Sequence, residues 1–120
     1  MLQTIRPPVQ FNILADTFKV IDATAVTAGS PAIVWTPASG KTVRLLGWFL
    51  SSSAAAAIEF QDSGAAGTVI AQTPLLAAAG IHNSRSDLGK GIPLAGADNT
   101  LKVNVTTNST VSGMVFGREE

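Results

Sequence analysis

The chain has no cysteine, no tyrosine, one histidine and few charges, and each shortage closes off a class of chemistry. Without cysteine there are no disulfides and no thiolate metal sites. One histidine leaves a transition metal dependent on carboxylates brought from distant parts of the chain. Lys+Arg and Asp+Glu number 8 each, for a formal net charge of zero. The basic surplus that binding to phosphate backbones requires is therefore missing, and nucleic acid is not an expected partner. No apolar run approaches the ~20 residues of a membrane-spanning helix. The first residues, Met1 to Pro8, lack the basic-then-apolar order of a signal peptide. A membrane partner is not expected either.

What remains is a chain of 120 residues, the size of one domain, with an ordinary hydrophobic fraction of 46%. Charged residues make up 13%, about half the usual ~25%. Alanine, glycine, serine and threonine take their place. A surface so poor in charge costs little to desolvate, which favours packing against other protein copies.

Residues 1–16 read as an extended arm ahead of a β domain spanning 17–120. Pro7 and Pro8 fix two φ angles and bias Arg6 away from helix. Ile5, Pro7, Pro8, Val9 and Phe11 are the expected contacts of this arm with a neighbour or a shell. From Thr17 onward the pattern is β. Phe18 to Val26 is rich in β-branched residues and stops at Gly29-Ser30-Pro31; a short run from Ala32 to Thr36 is closed by Pro37. Residues 42–51 follow, and Leu45-Leu46 with Trp48-Phe49-Leu50 make this strand apolar on both faces. Such a strand is covered on both faces, so Leu46, Trp48 and Leu50 are the expected subunit-interface residues. Ile58 and Phe60 alternate with Glu59 and Gln61, and 68–71 is a further strand after a glycine-rich loop. Residues 74–98 are broken by Gly80, Gly89, Gly91, Pro93 and Gly96, with room for short strands near 75–77 and 91–94. Leu101, Val103 and Val105 alternate with Lys102, Asn104 and Thr106, and 110–117 closes the domain. About eight strands at this spacing predict an all-β sandwich of two sheets, with a jelly roll the favoured arrangement and an immunoglobulin-like sandwich its rival.

Catalytic equipment is hard to assemble from these residues. Ser84, His82 and Asp87 share one loop region and offer the letters of a triad, but triads are defined by geometry, and no Gly-x-Ser-x-Gly elbow is present. No enzyme activity, cofactor or catalytic residue is expected. Asp62, Asp87, Asp98 and Asn99 could in principle meet at a calcium ion, yet they lack the dense Asp-x-Asp spacing of such loops, so no metal is expected. The glycine-rich stretches precede no helix and are not phosphate cradles. Asn104-Val105-Thr106 and Asn108-Ser109-Thr110 match the glycosylation sequon, a short pattern that arises by chance.

One resemblance adds to this reading. The run from Ala32-Ile33-Val34-Trp35 through Gly40-Lys41 to Leu45-Leu46-Gly47-Trp48-Phe49-Leu50-Ser51 is similar to the small jelly-roll decoration, or cement, proteins of tailed bacteriophages. So are Pro74-Leu75-Leu76-Ala77 and the ending Val111-Ser112-Gly113-Met114-Val115-Phe116-Gly117-Arg118-Glu119-Glu120. The likeness covers about residues 25–120. It implies a virion structural protein: a homo-oligomer, in the family a trimer, standing on the capsid surface and bracing neighbouring copies of the major capsid protein after assembly in the host cytoplasm. The alternative is a tail-associated or fibre-tip module that recognises a host glycan or protein through the 78–98 loops, with His82 and Arg85 as contacts.

Overall fold

The computed structural model describes residues 16–64, 68–84 and 90–120. The arm residues Ile5, Pro7, Pro8, Val9 and Phe11, together with Arg85 and Asp87, lie outside them. Nine strands are present among the described residues: β1 (Asp16–Val26), β2 (Ala32–Trp35), β3 (Val43–Ser52), β4 (Ile58–Asp62), β5 (Val69–Gln72), β6 (Gly80–Asn83), β7 (Ile92–Pro93), β8 (Leu101–Val105) and β9 (Ser109–Glu119). They form two antiparallel sheets packed face to face. One has the order β1-β9-β3-β6, with β7 also pairing to β3. The other has the order β2-β8-β4-β5.

The pairings are nested. β4 pairs with β5, β3 with β6, β2 with β8 and β1 with β9. The chain is thus one long hairpin whose tip is the loop between β4 and β5. It is rolled up so that β9 also meets β3 and β8 also meets β4. From β1 to β4 the chain crosses to the other sheet at every strand, and it crosses again after β5, β7 and β8.

The core lies between the sheets. The four-stranded sheet contributes Trp35, Ile58, Phe60, Leu101, Val103 and Val105, and the five-stranded sheet contributes Ile21, Val43, Leu45, Trp48, Leu50, Val111 and Val115. Trp48 stacks on Phe60 with ring centroids 4.8 Å apart, a cross-sheet aromatic contact. Trp35 reaches from its own sheet onto Gly117 of β9, where a Cβ would lie 3.0 Å from the indole ring and 2.5 Å from the carbonyl oxygen of Arg44. A glycine there lets the indole pack against backbone.

Two sequence expectations change. The 75–77 stretch contributes only an isolated bridge between Leu76 and Ala56, whereas 80–83, read as irregular, is strand β6 on the sheet edge. Its only large apolar residue, Ile81, faces solvent, so no core-facing alternation marks it. β3 changes more. A bulge at Leu46 lies between the pairs Leu45↔Gly117 and Gly47↔Phe116. The extra residue lets Leu45 and Trp48, three apart, both face the core.

Candidate functional site: an apolar outer face

Because residues directly opposite on antiparallel strands share a face, the register of the five-stranded sheet defines its solvent side row by row. The first row is charged and runs Asp16–Arg118–Arg44. Two arginines stand side by side here, and each has its own carboxylate. Arg118 Nε donates to Asp16 at 2.7 Å, and Arg44 pairs with Glu120. The hydrogen bond from Arg44 holds the Glu120 carboxyl below its usual range. The second row is Phe18–Phe116–Gly47, and the third is Val20–Met114–Phe49–Asn83. The fourth is Ser112–Ser51–Ile81.

The middle of this face is therefore made of Phe18, Phe116, Val20, Met114 and Phe49, with Ile81 at its border. Phe18 is 53% exposed, Val20 64%, Phe49 41% and Ile81 63%. Phe116 and Met114 are half-buried. Gly113 sets the backbone beneath it. Its φ is +137°, and a Cβ there would sit 1.9 Å from the carbonyl oxygen of Phe49. Only glycine permits that approach of β9 to β3.

The other sheet faces solvent differently. Its outer side carries Lys102 between Ile33 and Gln61, and Asn104 opposite Glu59, which is itself opposite Gln72. Asn104 Nδ2 donates to Glu59 at 2.9 Å. The large apolar residues exposed there, Ile33 and Val69, stand on the two edge strands and do not meet.

The interface residues expected from sequence are thus rearranged. Trp48 and Leu50 are 4% and 0% exposed inside the single chain and are core residues, because the bulge turns them inward. Their assignment to a subunit contact is corrected on that ground. Leu46 is half-buried, its side chain near Gly91 where that residue precedes β7. The apolar excess of β3 that does reach solvent is Phe49. Its partners come from β1 and β9, and the signal for them was the two-residue spacing Phe18-x-Val20 and Met114-x-Phe116.

Residues considered for chemistry have structural partners. The Trp48 indole N–H donates to His82 Nδ1 at 3.0 Å, and the Trp48 backbone N–H donates to Ser84 Oγ at 2.9 Å. Both residues thus hold Trp48. The buried Asp62 carboxylate accepts from the Gly64 and Ala95 backbone N–H groups and from Asn99 Nδ2 at 2.6–3.0 Å, so Asp62 and Asn99 form a loop clasp. Asp98 accepts from the Gly40 N–H at 2.7 Å. The two sequon asparagines, Asn104 and Asn108, accept from Gly29 and Ala28 at 2.9 Å and fasten the turn between β1 and β2. Among the described residues no three metal-ligating side chains cluster. No family model, curated protein or solved structure matches the chain.

Proposed function

We propose that this chain is a virion structural protein of the decoration type. In this reading it docks on neighbouring subunits, its own copies and the major capsid protein, through the outer face of the five-stranded sheet. The observation that carries the reading is the contiguous apolar surface of Phe18, Val20, Phe49, Met114 and Phe116, set against a polar surface on the other sheet. The nested strand pairing supports treating the sandwich as a jelly roll, the arrangement that the resemblance to phage decoration proteins implies.

The size of the face suits a repetitive assembly. Four strands about 4.8 Å apart and two apolar rows give a footprint of roughly 300 Å². Covering it removes about 600 Å² from water over both partners, worth about 15 kcal/mol at ~25 cal/mol/Å². Association costs about 4–15 kcal/mol. One such contact is marginal, and many copies on one shell make it hold through avidity.

Light scattering across concentration, together with co-sedimentation with phage shells, tests the reading. The wild-type protein associates or binds shells. Phe49→Glu, which places a charge in the middle of the face, abolishes both while leaving the melting temperature nearly unchanged. A wild-type protein that stays monomeric and ignores shells, or a Phe49→Glu variant that still assembles, refutes it.

A further inference from the structure

We infer that the occupant of this outer face is residues 2–14 of a second copy of the chain, laid across the five-stranded sheet. The inference rests on the reading of the face as a docking surface and adds what covers it. Its first support is area. A footprint of roughly 300 Å² is well under the ~800 Å² that each partner buries in a specific interface, so two flat faces meeting directly fall short. Thirteen residues, fully extended, reach about 45 Å and add contact along their whole length.

Composition is the second support. The segment carries Leu2, Ile5, Val9, Phe11, Ile13 and Leu14, and Arg6 is its one charged side chain. Phe11 and Ile13 stand two residues apart, the same repeat as Phe18-x-Val20 and Met114-x-Phe116 on the face. In an extended chain that repeat places both side chains on one side, ~6.6 Å apart, the spacing of the two apolar rows. The charged row of Asp16, Arg118, Arg44 and Glu120 is internally paired and sets no repulsive barrier to so neutral a segment.

Attachment is the third support, and it selects a neighbour's face over the chain's own. The segment joins the sheet at Asp16, whose carboxylate is held by Arg118, next to Phe18. To cover its own sheet the chain must reverse within a few residues of that fixed point. From Val9 to Ala15 the sequence has neither glycine nor proline, and Asn12 is its one turn-forming residue, flanked by Phe11 and Ile13. The free edge of β1 is a poorer dock than the face, because it carries a bulge between Ile21 and Thr24, with Ala23 in the left-handed region at φ +44°. Such a bulge blunts an edge against strand addition.

The absence of cysteine makes a direct test possible in the full-length protein. Two single variants, Phe11→Cys and Met114→Cys, are mixed and oxidised, and the products are sorted by intact mass. The expected result is a mixed dimer well in excess of either symmetric dimer, lost when the Met114→Cys chain also carries Val20→Glu. Predominance of the Met114→Cys symmetric dimer means the faces meet each other directly. It overturns this inference while leaving the docking reading intact. A chain carrying both cysteines that closes on itself as a monomer shows the segment on its own sheet, and also overturns it. So does the absence of any product above that of a Lys102→Cys control on the polar sheet. Ile13→Cys in place of Phe11→Cys repeats the test, and near-ultraviolet circular dichroism confirms that each variant is folded.

Discussion

The two sheets of this sandwich share one core and present opposite chemistry to solvent. Inward, both offer large aliphatic and aromatic side chains with almost no exposure. Outward, the β2-β8-β4-β5 sheet alternates to Lys102, Asn104, Glu59 and Gln72. The β1-β9-β3-β6 sheet instead places Phe18, Phe116, Val20, Met114 and Phe49 side by side. An antiparallel sheet with one face on the core ordinarily shows the polar pattern on the other. The second sheet meets that expectation and serves as an internal control for the first. The same chain that makes one solvent face polar leaves the other apolar, so low overall charge alone does not account for it.

Five substitutions would break or sharpen this contrast, and the largest effect belongs to the layer the sheets share. Phe60→Ala removes the ring that stacks on Trp48 and should cost about 3–5 kcal/mol, read as a lower denaturant midpoint. A loss below about 1 kcal/mol would show that the sheets do not depend on a common core. Gly113→Ala places a Cβ against the Phe49 carbonyl oxygen and should cost about 2–4 kcal/mol through strain and displacement of β3. It should weaken assembly as well, because Phe49 moves.

Glu119 ties the sheets together at one end. Its carboxylate accepts from the Ala38 N–H at 2.8 Å and from the Trp35 indole at 3.0 Å, and these two bonds, the backbone one foremost, lower its pKa. A carboxyl group whose pKa is lower in the folded state stabilises the fold above the ordinary carboxylate range. That contribution is lost as pH falls through the range toward the lowered value. Thermal melts from neutral to acidic pH should show the decline, and Glu119→Gln, which has one acceptor oxygen for two donors, should flatten part of it at a cost of about 1–2 kcal/mol. An unchanged pH profile in that variant would remove Glu119 from the account.

The smallest effect on stability comes from the solvent faces themselves. Val20→Gln and Lys102→Gln should each change stability by less than about 0.5 kcal/mol. They should differ in assembly: Val20→Gln lowers the associated mass by light scattering and Lys102→Gln leaves it alone. Equal behaviour would erase the distinction between the sheets.

Much of this was legible in the sequence because the strands alternate. Leu101-x-Val103-x-Val105 and Ile58-x-Phe60 point inward as their spacing requires, and their bounds differ from expectation by a residue or two. β3 was legible as a strand and illegible as a surface. Leu46, Trp48 and Leu50 share an outer face only if the period of two is unbroken, and the bulge at Leu46 breaks it. The one hint of that bulge in the sequence is Gly47 beside it, an isolated glycine within a strand pattern. The outer face was missed for a related reason. It is built from one or two residues on each of β1, β9 and β3 that become neighbours only through register, and register is a property of the pairing, not of any one segment. The roles of His82 and Asp62 were hidden likewise, since their partners Trp48 and Ala95 lie 34 and 33 residues away.

The pairing of Asp16 with Arg118 puts the start of β1 beside the end of β9. Force applied across those two points loads their ladder at its last rung and opens it like a zipper, one pair of hydrogen bonds at a time. It does not shear all the rungs together. The fold is therefore mechanically weak along the line joining the start of β1 to the end of β9. Load carried through the face of the sheet instead presses the two layers together, the direction in which the sandwich resists best.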